Sequence, residues 1–179
     1  AALLERARSA GWWEATHAVG ALRGIGTPAA WKAIAALASH PESRVRARVA
    51  SALGGRPKDP VARKVISGLI DDRSYRVIAS AARAWAKVAR ADAVGTLEDL
   101  VDLDTPYDRV AGAALEGLAE IGGKRAYRVV VRATAPSRSI RERRSALVAL
   151  GKLAARDRTR ADDVLQRLSR AADDPDGVV

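Results

Sequence analysis

The chain has 179 residues, 48% of them apolar, with no Cys, Met or Phe and a formal net charge of +10. This composition indicates a folded protein rather than a disordered one, and the lack of Cys excludes disulfides, thiolate zinc sites and cysteine nucleophiles. No apolar run approaches the roughly 20 residues that span a bilayer and no signal peptide is recognisable, so we expect a cytoplasmic protein with no membrane partner.

An alanine-rich segment recurs five times along the chain. Its copies contain HAVGALRGIG, RVASALGG, SAARAWAKV, AALEGLAEIG and SALVALGKL, and the small residue before the bulky one falls at positions 21, 52, 84, 117 and 149. The spacings are therefore 31, 32, 33 and 32 residues. Small residues three and four positions apart lie on one helix face, so each copy predicts a helix.

A second apolar segment with helical periodicity follows each copy after a short break of Gly, Pro or charged residues. These segments lie at 28–39, 59–70, 91–103, 124–134 and 160–172. We therefore predict helix–turn–helix units near 11–39, 41–70, 72–104, 106–134 and 136–172. Residues 1–9 and 173–179 are interpreted as partial units, so we expect one repeat domain that is a piece of a longer chain.

The repeats predict an all-α fold, because a single helical hairpin cannot bury its apolar face whereas stacked copies can. We expect an α-solenoid of about five hairpins, in which alanine at the contacts lets helices approach closely. Trp85 stands where the other copies have leucine, and we predict that it fills the core. The segment YRVVVRAT is the best strand candidate, but it lies where a second helix is required and is assigned as helix.

The recurring order of Pro-x-x-x-Val, alanine-rich helix, Leu-Gly and second helix resembles HEAT repeats, an armadillo-like family, over essentially the whole chain. Three segments are also similar to the C-terminal HEAT-like region of gluzincin-type zinc aminopeptidases: GWWEATHAVGALRGIGTPAAW, DDRSYRVIASAARAWAKV and YDRVAGAALEGLAEIGGKRA. This resemblance implies a helical module that follows a catalytic domain. The His-Glu-x-x-His zinc helix of that family is absent from this chain, so no active-site residue is carried over.

The two histidines do not form a catalytic or metal site. His17 and His40 lie 23 residues apart in different units, and neither has a zinc-binding pattern around it. We expect His17 to contact Glu14 on one helix face, and His40 to lie near a helix C-terminus. We therefore predict no catalytic residue, no cofactor and no metal.

The positive charge is concentrated in one third of the chain. Residues 124–170 contain 14 Lys and Arg against 4 Asp and Glu. Basic residues on adjacent units could form a continuous strip that follows phosphates, or a solvated face, or a surface that docks on an acidic domain. The candidate interaction residues in the strip are Arg125, Arg128, Arg132, Arg138, Arg141, Arg143 and Arg144.

We predict a non-catalytic scaffold or protein-interaction module. Its partner would be the catalytic domain of an aminopeptidase-like parent, or another protein if the chain is a free-standing adaptor. Lys32, Lys64 and Arg128, on second helices, are candidate contacts on a concave face. The alternative is a nucleic-acid binder, possibly similar to HEAT-like DNA glycosylases, that uses the basic strip at 124–160.

Overall fold

The computed structural model describes residues 11–172, and all regular structure in that range is helical. The helices are α1 (Trp12–Ile25), α2 (Pro28–Ala36), α3 (Ser43–Leu53), α4 (Pro60–Ile70), α5 (Tyr75–Ala89), α6 (Ala93–Val101), α7 (Arg109–Ile121), α8 (Gly123–Arg132), α9 (Ile140–Arg156) and α10 (Ala161–Ala172). Short 3-10 turns precede or follow several of them.

The chain divides into two compact units, Ala1–Ala89 and Arg90–Val179. In the first unit α1 packs on α2 and α3, α3 packs on α4 and α5, and α2 contacts α4. In the second unit α7 packs on α6, α8 and α9, and α9 packs on α8 and α10. Each unit is therefore a stack of helical hairpins, and the predicted all-α solenoid fold is confirmed.

The helix ends follow from local sequence. Gly26 adopts φ +68°, which stops α1 in the left-handed conformation that glycine tolerates best. Thr27 and Asp59 then cap α2 and α4, accepting hydrogen bonds from the amides of the first turn, and each is followed by a proline at the first helical position. The same Pro and Gly signals placed these helices in the sequence.

The core consists of Ala, Val, Leu and Ile side chains. α3 and α5 approach closely at its centre, where a Cβ added to Gly54 would lie 3.0 Å from Cβ and 3.1 Å from Cα of Ala84. Trp85, expected as a core filler, is only half-buried, with the guanidinium of Arg63 stacked 5.4 Å from its ring centroid. The small residues of the repeat thus bring helices together as predicted, while the tryptophan lies partly outside the core.

The second-helix segments fold close to their predicted limits. The strand-like segment YRVVVRAT begins inside α8 and is helical up to Arg132. Gly122, with φ +74°, lies between α7 and α8, and Gly123, with φ +84°, is the first residue of α8. The five-unit boundaries stay a prediction, and the proposed partial units at 1–9 and 173–179 lie outside the described residues.

Candidate interaction surface

The histidines contact their immediate surroundings. Nδ1 of His17 lies 2.8 Å from the carbonyl oxygen of Trp13, and the two rings stack with centroids 4.0 Å apart. The expected contact of His17 with Glu14 is therefore replaced by one with Trp13, a turn earlier on the same helix. His40 is buried at the end of a 3-10 turn, and its Nδ1 accepts a hydrogen bond of 3.1 Å from the amide of Glu42.

Metal-ligating side chains do not converge in the part of the chain that the structure describes. Within residues 11–172 no group of three or more His, Asp or Glu side chains is placed to hold a metal ion. In the same range no helix combines the length and apolarity needed to cross a bilayer.

A ladder of alternating charges crosses the second unit. We call it the arginine ladder; it comprises Arg125, Glu98, Arg132, Asp102, Arg138 and Glu142. At its start, the carboxylate of Glu98 on α6 lies 3.0 Å from the guanidinium of Arg125 and 3.3 Å from that of Arg132, both of which are on α8. The carboxylate of Asp102 then lies 2.9 Å from the guanidinium of Arg132 and 2.6 Å from that of Arg138. Three predicted interaction residues are thereby paired with carboxylates that precede them by about one repeat.

The far end of the ladder enters the protein interior. Arg138 lies 3.2 Å from the carboxylate of Glu142, which is buried in the first turn of α9. The hydrogen bond to Asp102 raises the pKa of Arg138, while burial raises the pKa of Glu142 despite the attraction of Arg138. The exposed pairs of the ladder, at Glu98 and Asp102, contribute only about 0–1 kcal/mol each to stability, so their main effect is to neutralise surface charge.

Other arginines of the basic strip are also engaged. Arg143, predicted as an interaction residue, is only 5% exposed and packs inside the α8–α10 region. Arg156 donates to the backbone carbonyls of Ala119 and Glu120 at the end of α7. Arg141 stacks on the exposed ring of Tyr107, 4.8 Å from its centroid. Several cations of the basic strip are therefore buried or already in contact with other groups, and are not available to a partner.

Lys32, Lys64 and Arg128 occupy equivalent positions on exposed helix faces. Lys64 follows Lys32 by 32 residues and Arg128 follows Lys64 by twice that interval. All three are exposed, on α2, α4 and α8 respectively. Among residues 11–172 none of the three is paired with a carboxylate. Arg144, on α9, is likewise exposed.

Two pockets open beside α8 in the second unit, one against the 3-10 turn before α10 and one against α9 and α10. The first, of about 480 Å³, is lined by Lys124, Tyr127, Arg128 and Arg160. The second, of about 450 Å³, lies further along α8 and is lined mainly by Val131, Thr134, Ala135, Pro136, Arg143, Leu147, Arg167 and Arg170. The sequence indicated Arg128 but not the pockets. Each pocket needs side chains from α8 together with others that are distant in sequence, from the turn before α10 or from α9 and α10.

Comparison with known proteins supports the repeat fold. A family model described as HEAT repeats matches residues 1–86. Among solved structures, the crystal structure of an engineered protein matches with a TM-score of 0.56 and 21% identity, covering 93% of this chain and 87% of that one. The crystal structure of a second engineered protein matches with a TM-score of 0.51 and 22% identity, over 99% of this chain and 54% of the other.

The remaining comparisons do not extend the likeness beyond the repeat fold. Human deoxyhypusine hydroxylase in complex with glycerol has a TM-score of 0.44 and 15% identity over 99% of this chain and 90% of that one. A search of curated proteins finds no match. At these identities the likeness concerns the fold alone.

Proposed function

We propose that this chain is a non-catalytic scaffold that binds a protein partner through the exposed faces of its second helices. The observation that carries the proposal is the recurrence of an exposed cation without a described carboxylate partner at equivalent positions, Lys32, Lys64 and Arg128. Within each compact unit, stacked hairpins hold such positions on a regular helical support, which reduces the entropy lost on binding. HEAT-repeat likeness agrees with this role.

The partner is the catalytic domain of the same polypeptide or a separate protein. The aminopeptidase setting is supported by the sequence resemblance of three segments, and the matched family and engineered structures do not bear on it. The coding sequence upstream of Ala1 tests it directly. A His-Glu-x-x-His motif there would support the enzyme setting, whereas its absence would leave the free-standing adaptor.

The nucleic-acid alternative is weakened by the arginine ladder. Binding to phosphates needs several cations that are free to replace counterions, and Arg125, Arg132 and Arg138 are already paired with carboxylates. The geometry therefore favours a protein partner.

A photo-crosslinking experiment tests the scaffold proposal. A crosslinking amino acid is placed singly at Lys32, Lys64 or Arg128 in the full chain, and matched positions on first helices are Arg48 and Lys152, which are also exposed. We expect a discrete crosslinked protein from the second-helix positions, unaffected by nuclease. Equal labelling from both sets, or products that nuclease removes, would refute the proposal.

A further inference from the structure

The two pockets beside α8 adjoin a single polar bridge. The hydroxyl of Tyr127 donates to the carboxylate of Asp163, which also accepts a hydrogen bond of 3.0 Å from Nε of Arg167. Tyr127 lines the pocket at Lys124 and Arg128, and Arg167 lines the pocket at Leu147. We call the two pockets, with the bridge that both adjoin, the α8–α10 groove.

The carboxylates along the groove are already engaged. Nε of Arg160 lies 2.6 Å from Asp157, and Asp163 is held by Tyr127 and Arg167. Hydrogen bonds from Arg167 and Tyr127 lower the pKa of Asp163, so this carboxylate stays ionised at neutral pH.

The groove therefore retains positive charge at one end. Within residues 11–172 no carboxylate pairs with Lys124 or Arg128, which lie one turn apart on the exposed side of α8. Tyr127, between them in sequence, is covered by Arg160, whose guanidinium lies 4.3 Å from the ring centroid. This stacking fixes one wall of the pocket.

The other end of the groove is partly apolar. Val131, Pro136 and Leu147 contribute aliphatic surface there, and Arg170 lies at the same pocket. A pocket with aliphatic walls and a cationic rim suits an aliphatic side chain that is flanked by carboxylates. A phosphate backbone has no group for the aliphatic part, so the combination favours a peptide over a nucleic acid.

We propose that the α8–α10 groove binds an acidic peptide segment, whose carboxylates pair with Lys124 and Arg128 and whose aliphatic side chain enters the pocket beside Leu147. This assignment rests on the proposed scaffold function and names the chemistry of its partner. Lys124 and Val131 are seven residues apart on α8, about 10 Å along the helix axis at 1.5 Å per residue. An extended peptide covers that distance in about three residues, which sets the spacing between the acidic pair and the aliphatic anchor.

The test is a fluorescence anisotropy titration with the full chain. The probe is a synthetic peptide with two adjacent glutamates and a leucine three residues later, and a second probe has serine in place of that leucine. The double substitution K124E/R128E reverses the charge at the acidic end of the contact. The matched control R109E/K152E reverses the same charge at exposed positions of α7 and α9 outside the groove.

We expect K124E/R128E to weaken binding about tenfold or more and the control to change it by less than about twofold, because charge pairs act at short range in salt. The serine probe should also bind more weakly to the wild-type chain. Equal losses in both double variants, equal affinity for the two probes, or equal competition by an oligonucleotide of the same charge would overturn the assignment. If the crosslinks at Lys32 and Lys64 survive K124E/R128E while peptide binding never appears, the scaffold function stands and the groove assignment alone fails.

Discussion

Replacing Arg46 with methionine is expected to break the main polar link between α3 and the loop before α5. Nε and Nη2 of Arg46 donate to the two carboxylate oxygens of Asp72 at 2.7 and 2.8 Å. Its Nη1 donates to the carbonyls of His40 and Pro41, both at 2.8 Å. One side chain therefore satisfies a carboxylate and two backbone carbonyls that the chain brings from two different loops.

The expected cost follows from the burial of both partners. The side chains of Arg46 and Asp72 are 7% and 9% exposed. Methionine fills similar space, but the Asp72 carboxylate then loses both hydrogen bonds from Arg46 and keeps the one from the amide of Ser74, at 2.8 Å. Removing one partner of a buried ion pair costs about 3–5 kcal/mol, because the other charge stays desolvated.

Urea denaturation at pH 7 measures this cost for R46M, D72N and the double variant. The double variant should be destabilised by less than the sum of the two single variants. The shortfall should be up to about 3 kcal/mol, because the second substitution breaks no further ion pair. The exposed Arg48 on the same helix supplies the control R48M, which should change the free energy of unfolding by less than about 0.5 kcal/mol.

The pH dependence has a defined sign. The hydrogen bond from Arg46 holds the pKa of Asp72 below its ordinary value. The stabilisation that ionised Asp72 contributes is therefore complete above the pKa of this carboxyl in the unfolded chain, near 4. It is lost as the pH falls through the lower pKa that Asp72 has in the folded protein. The difference between wild type and R46M should narrow below about pH 4. A cost for R46M of less than about 1 kcal/mol at pH 7, or a purely additive double variant, would refute the reasoning.

Four further substitutions test packing, burial and capping. G54A should destabilise the chain by about 1–3 kcal/mol in urea, because its Cβ meets both Cβ and Cα of Ala84; G151A, in the open middle of α9, should instead stabilise it by up to about 1 kcal/mol, and the same sign for both would contradict the packing argument. E142Q should stabilise the protein by up to about 1 kcal/mol at pH 7, since burial raises the pKa of Glu142 and disfavours its ionised form. That advantage should shrink as the pH falls through the raised pKa, because the wild-type side chain then becomes neutral too; a growing advantage in acid would be the contrary result. D59A removes the cap of α4 and should cost about 1 kcal/mol in thermal denaturation, whereas an unchanged melting temperature would show that the cap is dispensable.

The helices could be predicted from the sequence because the signals that define them are local. Proline at the first turn and a side-chain cap place the start of α2 at Pro28 and of α4 at Pro60. Gly122 separates α7 from α8, and Gly123 begins α8. Each of these signals acts within about four residues of the helix end that it determines, so no knowledge of the packing partner was needed.

The polar contacts could not be predicted in the same way because their partners are distant in sequence. The segment SRVRARV carries three arginines in alternation, and only Arg46 is buried. The carboxylate that pairs with Arg46 belongs to Asp72, 26 residues later, in the loop before α5. Alternation along the chain gives no sign of which cation turns inward, since the helix rotates each of them to a different face.

The basic strip shows how charge should be counted in a stack of repeats. Counted along the chain, residues 124–170 have a large positive excess, but the carboxylates that neutralise Arg125, Arg132 and Arg138 come from α6 and its end. In a solenoid the neighbours of a side chain are the residues about one repeat away as well as those beside it in sequence. Local charge density therefore overstated the cations that are available on this surface.

The same rule explains why the α8–α10 groove keeps its charge. The position one repeat before Arg128 is Thr96, and Leu97 lies 27 residues before Lys124, the separation that joins Glu98 to Arg125. Neither residue can supply a carboxylate, and Glu98, which lies 30 residues before Arg128, is already paired with Arg125 and Arg132. An acidic residue at the partly exposed position of Thr96 would place a carboxylate one repeat before Arg128 and lower the charge of the groove; the present sequence stops the ladder at Arg125. The availability of Lys124 and Arg128 for an acidic partner is thus a consequence of which residues the preceding repeat places opposite them.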